Sequence, residues 1–175
     1  MVNFPTKEVR SMGRTASGVK GIELEDGCEA IGSVASYEGN KILVLTDKGY
    51  GKMTDVYDEN GELVYRVTKR GAKGVSTIKA SDKTGKIVAI SAVNGDEDLL
   101  VITNYGVVMR TSLSEVRVSG RNTQGVKIIN LEGRQKVSTI AIVPHEDEED
   151  EEISDPLDEG VEENESTPIE NQEEE

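Results

Sequence analysis

"EVRVSGRNTQGVK" (115–127) and "EVRSMGRTASGVK" (8–20) are two copies of one segment, with Glu, Val, Arg, Gly, Arg, Gly, Val and Lys in the same places at eight of thirteen positions. A third copy, "RGAKGV" (70–75), keeps the arginine, three intervening residues and the Gly-Val pair. Agreement this dense in so short a window marks an internal repeat, and the repeat decides how the rest of the chain is read. Its recurring glycines are Gly18, Gly74 and Gly125, spaced 56 and then 51 residues apart.

A second element recurs in step with the first. "ILVLTDKGYGKMT" (42–54) superposes on "LLVITNYGVVMRT" (99–111) at an offset of 57, placing Thr46 on Thr103, Gly49 on Gly106 and Thr54 on Thr111. No matching run lies upstream of Glu8, so the chain is expected to begin inside a repeat, as a fragment of a longer protein would. Both runs are short, β-branched and nearly continuously apolar, and they end in Asp-Lys-Gly or Asn-Tyr-Gly. That pattern predicts a strand buried on both faces, followed by a tight hairpin. Asn60-Gly61 in "DENGELVYRV" (58–67) is a further hairpin signal, and "TGKIVAISAV" (84–93) and "GRQKVSTIAIV" (133–143) predict one strand each.

No segment carries a sustained helical stripe. Aromatic residues make up only 3% of the sequence, which favours several thin layers over one thick core. The expected fold is all-β, in units of roughly four strands repeating every ~50 residues, the period of a propeller-type blade. The units run as a blade remnant over 1–39 and blades over 40–96 and 97–143.

The formal net charge of −14 is unevenly spread. Residues 144–175 hold 17 of the 34 acids and no Lys or Arg, which leaves 17 acids against 20 bases in the body. The tail has too few apolar groups to offset the entropy of ordering it, so 144–175 is expected to be disordered. Ile153, Leu157 and Val161 fall at helical spacing, but Pro156 interrupts them.

A single cysteine, Cys28, excludes an intrachain disulfide and is expected to be a small core residue. There is no apolar run long enough to cross a bilayer and no apolar N-terminal segment of the signal-peptide kind, so a soluble cytoplasmic protein with no membrane partner is expected. His145, the only histidine, has no Cys or His company and is expected to be a solvated linker residue, not a metal ligand or catalyst.

The cations follow the repeat. Arg14, Arg70 and Arg121 share one repeat position, and Arg10 and Arg117 share another, with Arg66 as the nearest match in the middle copy. In a radial repeat such residues lie at equivalent points on one rim, an arrangement suited to a bent polyanion. The candidate phosphate contacts are Arg14, Arg70 and Arg121, helped by Arg10, Lys20, Lys52, Lys73, Arg110, Arg117 and Lys127. Three such contacts would give a log–log salt slope of about −3. Gly18, Gly74 and Gly125 admit two readings: they let backbone approach phosphate, or they are turn glycines of positive φ in a solvated loop. The acidic tail likewise either competes with nucleic acid for the basic rim or only solubilises.

These residues carry a resemblance. "VRSMGRTASGVKGIEL", "ILVLTDKGYGKMT", "RGAKGVSTIK", "LLVITNYGVVMRTSLSEVRVSGRNTQGVKII" and an acidic tail together are similar to the end of the A subunits of bacterial DNA gyrases. The resemblance implies the last two blades, and part of a third, of a six-bladed β-pinwheel whose basic rim wraps duplex DNA. Its parent enzymes are ATP-dependent type II topoisomerases that introduce negative supercoils. ATP and magnesium are implied to bind elsewhere in such an enzyme, with no cofactor in this stretch, and its partners are the B subunits together with the remainder of the A subunit. A bacterial, nucleoid-associated location follows from the same comparison.

Two departures qualify it. "TKRGAKG" (68–74) is at best a degenerate echo of the family's first-blade signature. The catalytic tyrosine of type II topoisomerases follows an arginine, whereas Tyr37, Tyr50, Tyr57, Tyr65 and Tyr105 follow Ser, Gly, Val, Val and Asn, so no residue here is expected to cut DNA. The C-terminal domain of a topoisomerase IV A subunit, or a propeller-type protein-interaction module, remains as an alternative.

Overall fold

The computed structural model describes residues 1–146. The remainder of the acidic tail, on which the expectation of disorder rests, lies outside the described residues. Seven strands are present: β1 (Lys41–Thr46), β2 (Tyr50–Asp55), β3 (Ile87–Val93), β4 (Asp98–Thr103), β5 (Val108–Ser112), β6 (Val126–Lys127) and β7 (Val137–Val143). Two single 3-10 turns, Thr6–Glu8 and Leu113–Glu115, are the only helical pieces among the described residues, so the fold is all-β.

The strands form two antiparallel sheets, one in the order β3-β1-β2-β6 and one in the order β5-β4-β7. The offset of 57 maps β1 onto β4 and β2 onto β5, and β3 and β7 take the same place beside them. Even the irregularities repeat. The β1–β3 register shifts between Leu45 and Thr46, and the β4–β7 register shifts between Ile102 and Thr103. Beside each shift a side chain caps the neighbouring strand: Asp47 Oδ1 accepts from the Lys86 N–H and Asn104 Oδ1 from the Lys136 N–H, both at 2.8 Å.

The hairpins explain why Thr and Gly recur. The Gly49 N–H bonds the Thr46 carbonyl and the Gly106 N–H bonds the Thr103 carbonyl, each at 3.0 Å, with φ of +79° and +78° at the glycines. Each threonine hydroxyl then accepts from the next amide, Tyr50 or Val107, at 3.1 Å. The Asn60-Gly61 signal is met by a hairpin turn. Only Gly61 has positive φ, the Gly61 N–H closes on the Asp58 carbonyl, and a single bridge, Tyr57 to Leu63, follows. This is a three-residue turn ending in a glycine bulge.

Strand β1 is buried on both faces, as an unbroken apolar run requires. Leu43 and Leu45 join Leu99, Val101, Leu113 and Val137 in one core, while Ile42 and Val44 join Val56, Tyr65 and Ile78 in a second. Strand β4 has the same type of sequence but a different fate: Leu99 and Val101 are buried, and Leu100 and Ile102 are only half-buried. Residues 9–39 carry no strand and are largely exposed. Cys28 is exposed in the turn that its N–H closes on Glu25, which corrects the expectation of a core position.

The two sheets are tied by an exchanged segment. Residues 117–128 of the last repeat run along the outer edge of β2: β6 pairs Val126 with Gly51 and Lys127 with Tyr50. The Met53 N–H and carbonyl bond Arg117 and Ser119 at 3.3 and 2.8 Å. The middle copy does the same with residues 1–3, through Asn3 and Thr68 and through Met1 and Val75.

Candidate nucleic-acid interface

The three copies of the arginine-glycine segment lie side by side. Arg70 donates from Nε to the Glu8 carbonyl at 3.1 Å and from Nη1 to the Lys20 carbonyl at 2.6 Å. One copy further on, Arg121 donates from Nη1 to the Ser76 carbonyl at 3.3 Å. Lys20 and Ser76 hold the same place, two residues after the repeat glycine. The backbone repeats the pattern: the Glu23 N–H bonds the Ala72 carbonyl at 3.0 Å, and the Lys79 N–H bonds the Thr123 carbonyl at 2.9 Å. Arg70 and Arg121 are therefore half-buried ties between successive loops, each with part of its five-donor fork already engaged.

The recurring glycines have a steric role. Gly74 and Gly125 have φ of +76° and +74°, and a Cβ on either would sit 2.1 Å from the Met1 carbonyl oxygen or 2.5 Å from that of Gly51. Both positions thus admit the exchanged segment against its neighbour. All three glycines have the positive φ that the turn reading expects, and at Gly74 and Gly125 the group that approaches closely is protein backbone.

Lys52 is a correction. It is fully buried, and its Nζ donates to the carbonyls of Gly120 and Arg121, the latter at 2.7 Å, so it fastens the exchanged loop and is not presented to a phosphate. Burial, reinforced by the Arg121 charge, lowers its pKa from 10.5 to about 8. Between those values the unfolded chain holds a proton that the folded chain has released, so stability rises with pH across the window. Lys52→Met is expected to flatten that rise by about 2 kcal/mol at most, read from urea unfolding at pH 7.5 through 10. An unchanged slope would mean the ammonium is solvated.

Arg110 is also engaged. Its Nε donates to Asp98 Oδ2 at 2.6 Å, and its Nη2 reaches the Pro144 carbonyl at 3.4 Å. The other Asp98 oxygen accepts from His145 Nδ1 at 2.7 Å, so His145 is docked on the last sheet and is not the solvated linker residue expected. The His145 hydrogen bond first, and then Arg110, hold the Asp98 carboxyl below its usual range against the opposing effect of burial.

The six remaining candidates, Arg10, Arg14, Lys20, Lys73, Arg117 and Lys127, are exposed, and none of their side chains is bonded to a described residue. They sit on the three adjoining copies. Lys69 and Lys79 are exposed on the same loops and escaped the sequence reading, because the matching positions are glycine in one case and Glu23 or Asn130 in the other. Only a search for exposed cations, not for recurrence, finds them. The surface carries unengaged positive charges on loops tied to one another through their backbones.

The comparisons with known proteins bear on what carries this surface. The family described as "DNA gyrase C-terminal domain, beta-propeller" matches residues 1–36, 40–94 and 97–144. The chain belongs to that family. Among curated relatives of this gyrase domain, the DNA gyrase A subunit of Ureaplasma parvum is 46% identical over 153 residues, covering 87% of this chain and 18% of the relative. The corresponding gyrase protein of Staphylococcus aureus is 42% identical over 153 residues, covering 86% of the chain and 16% of the relative. The chain thus spans less than a fifth of the length of these relatives.

Solved structures give the gyrase-domain fold directly. A DNA gyrase A C-terminal domain superposes with a TM-score of 0.71 at 24% identity, over 80% of this chain and 46% of that one. A topoisomerase IV C-terminal domain superposes with a TM-score of 0.64 at 19% identity, over 81% and 42%. The expected β-pinwheel class is therefore confirmed. No helix among the described residues is long and apolar enough to cross a membrane.

Proposed function

We propose that this chain is a DNA-binding and DNA-bending portion of a gyrase A subunit, which holds the duplex by its phosphates without reading bases. The carrying observation is the set of six exposed cations, Arg10, Arg14, Lys20, Lys73, Arg117 and Lys127, whose side chains are unengaged and which lie on three adjoining repeats. Lysine and arginine at an exposed surface neutralise phosphates and release counterions, and a radial repeat of blades favours a bent path over a straight one. Family membership supplies the context. The parent enzyme would use ATP and magnesium bound elsewhere, would join the A to the B subunit, and would act on DNA in the bacterial cytoplasm. The reaction itself would belong to residues outside this chain, whose five tyrosines lack the preceding arginine. The acidic tail would restrain binding by competing for the rim.

Fluorescence anisotropy of a labelled duplex over a salt series tests this reading. The expected log–log slope is roughly −3 to −5, for three to six phosphate contacts. Removing the tail is expected to raise affinity without making the slope shallower. Binding that ignores salt, or that prefers an acidic peptide to duplex DNA, would favour a protein-interaction module instead.

A further inference from the structure

The loop that leads from the middle arginine-glycine copy into β3, residues 79–86, is held at several points. The Lys79 N–H bonds the Thr123 carbonyl at 2.9 Å, which ties the loop to the segment laid along β2. Thr84 is fully buried, and its hydroxyl accepts from the Ser81 N–H at 2.9 Å. The Gly85 N–H closes on the Ser81 carbonyl at 2.8 Å, and Lys48 donates from Nζ to the Asp82 carbonyl. Gly85, with φ of +83°, stands where a Cβ would collide with the Asp47 carboxylate that caps Lys86. From this fixed turn an exposed cation projects: Lys83 Nζ lies 5.9 Å from the centre of the Tyr50 ring and pairs with no acid among the described residues. Asp47, the acid beside the loop, is taken by the Lys86 N–H and by Lys136 Nζ at 3.2 Å.

Tyr50 begins β2 directly opposite Lys127 on β6, so their side chains share one face of the sheet. Lys83 and Lys127 are therefore both neighbours of one half-buried ring. The second blade lacks the arrangement. Tyr50 superposes on Val107, and Lys83 matches Gly133 when the capped residues Lys86 and Lys136 are set on each other. Ring and cation are present together in one blade and absent together in the other. The hairpin itself calls for neither, because Val107 donates to the threonine hydroxyl of its turn just as Tyr50 does.

We infer that Lys83, braced on Tyr50, is a further phosphate-binding residue, which together with Lys127 carries a duplex from the exchanged loop onto the end of the first sheet that bears the β1–β2 turn. The inference rests on the DNA reading given above and adds to it an unequal grip, stronger on the first blade than on the second. An ammonium resting on a ring face keeps its charge while losing part of its freedom, so less entropy is lost when a phosphate oxygen meets it. Tyr50 is a positioning residue in this account, and Lys83 makes the contact.

Lysine acetylation of the full 175-residue chain, read by mass spectrometry with and without a duplex at low salt, tests it. Lys83 and Lys127 are expected to lose most of their reactivity when the duplex is added, and Lys41, at the other end of β1, to keep its own. In anisotropy titrations Lys83→Gln should make the log–log salt slope shallower by about 1 and weaken binding roughly 5-fold near 0.1 M salt. Tyr50→Leu removes no charge; it should weaken binding roughly 2-fold in the parent and not at all in the Lys83→Gln chain. Should Tyr50→Leu not fold, the acetylation pattern and Lys83→Gln decide. A parent chain without salt-dependent binding removes the DNA reading and this inference with it. A parent that binds as expected, while Lys83 stays reactive under the duplex or Lys83→Gln keeps the parent's slope, overturns this inference alone.

Discussion

Gly125→Ala is expected to destabilise the chain by about 3 kcal/mol and to lower Tm by roughly 10 °C, whereas Gly18→Ala in dilute solution costs about 1 kcal/mol. The two glycines occupy the same repeat position and nearly the same φ, +74° and +82°. Backbone strain from an added Cβ is therefore common to both. What differs is the surroundings: at Gly125 the new atom lies 2.5 Å from the Gly51 carbonyl oxygen and 2.9 Å from its carbon, neither of which can yield without breaking the β2–β6 pairing. At Gly18 it points into open space. Thermal unfolding of the two variants beside the parent reads the difference directly. Equal losses would show that conformational strain alone sets the cost and that the exchanged segment contributes little to stability.

The second large effect concerns DNA. Replacing Lys73, Arg117 and Lys127 together by alanine is expected to make the salt slope shallower by about 3 and to weaken duplex binding on the order of 100-fold near 0.1 M salt. The side chains of all three are exposed and bonded to no described residue, so folding should not respond. Lys52→Met is the contrasting variant: it removes a positive charge of the same strand-and-loop region, but a buried one, and should leave the slope unchanged. A triple variant that binds as tightly as the parent would remove the phosphate-contact reading of the rim.

Six of the seven strands were legible because the repeat supplies them in pairs. Thr46 and Thr103, Gly49 and Gly106 recur since one hairpin geometry needs a hydroxyl acceptor and a positive φ at those places. The site was less legible, since its residues act through partners in other copies. Arg70 and Arg121 look like free rim cations until the carbonyls of Lys20 and Ser76 are seen to fill part of their forks. Lys52 offered one warning: the strand alignment places it on Met109, a position where the other copy is apolar. His145 gave none, because its partner Asp98 is 47 residues away in the chain. The two-residue β6 is too short to carry a periodic signal and exists only because Gly51 and Gly125 allow the backbones to meet.

The exchanged segment also sets an order of events during synthesis. A chain that leaves the ribosome N-terminus first presents β1, β2 and β3 as a sheet whose β2 edge stays open until Val126 and Lys127 emerge and pair with Gly51 and Tyr50. The first blade therefore matures only after most of the second has been made, and its last pairing closes a long loop, a slow kind of contact to form. Nascent chains stalled inside the last repeat would hold a bare edge in waiting, and chaperone demand should peak there and fall once residue 127 clears the exit tunnel.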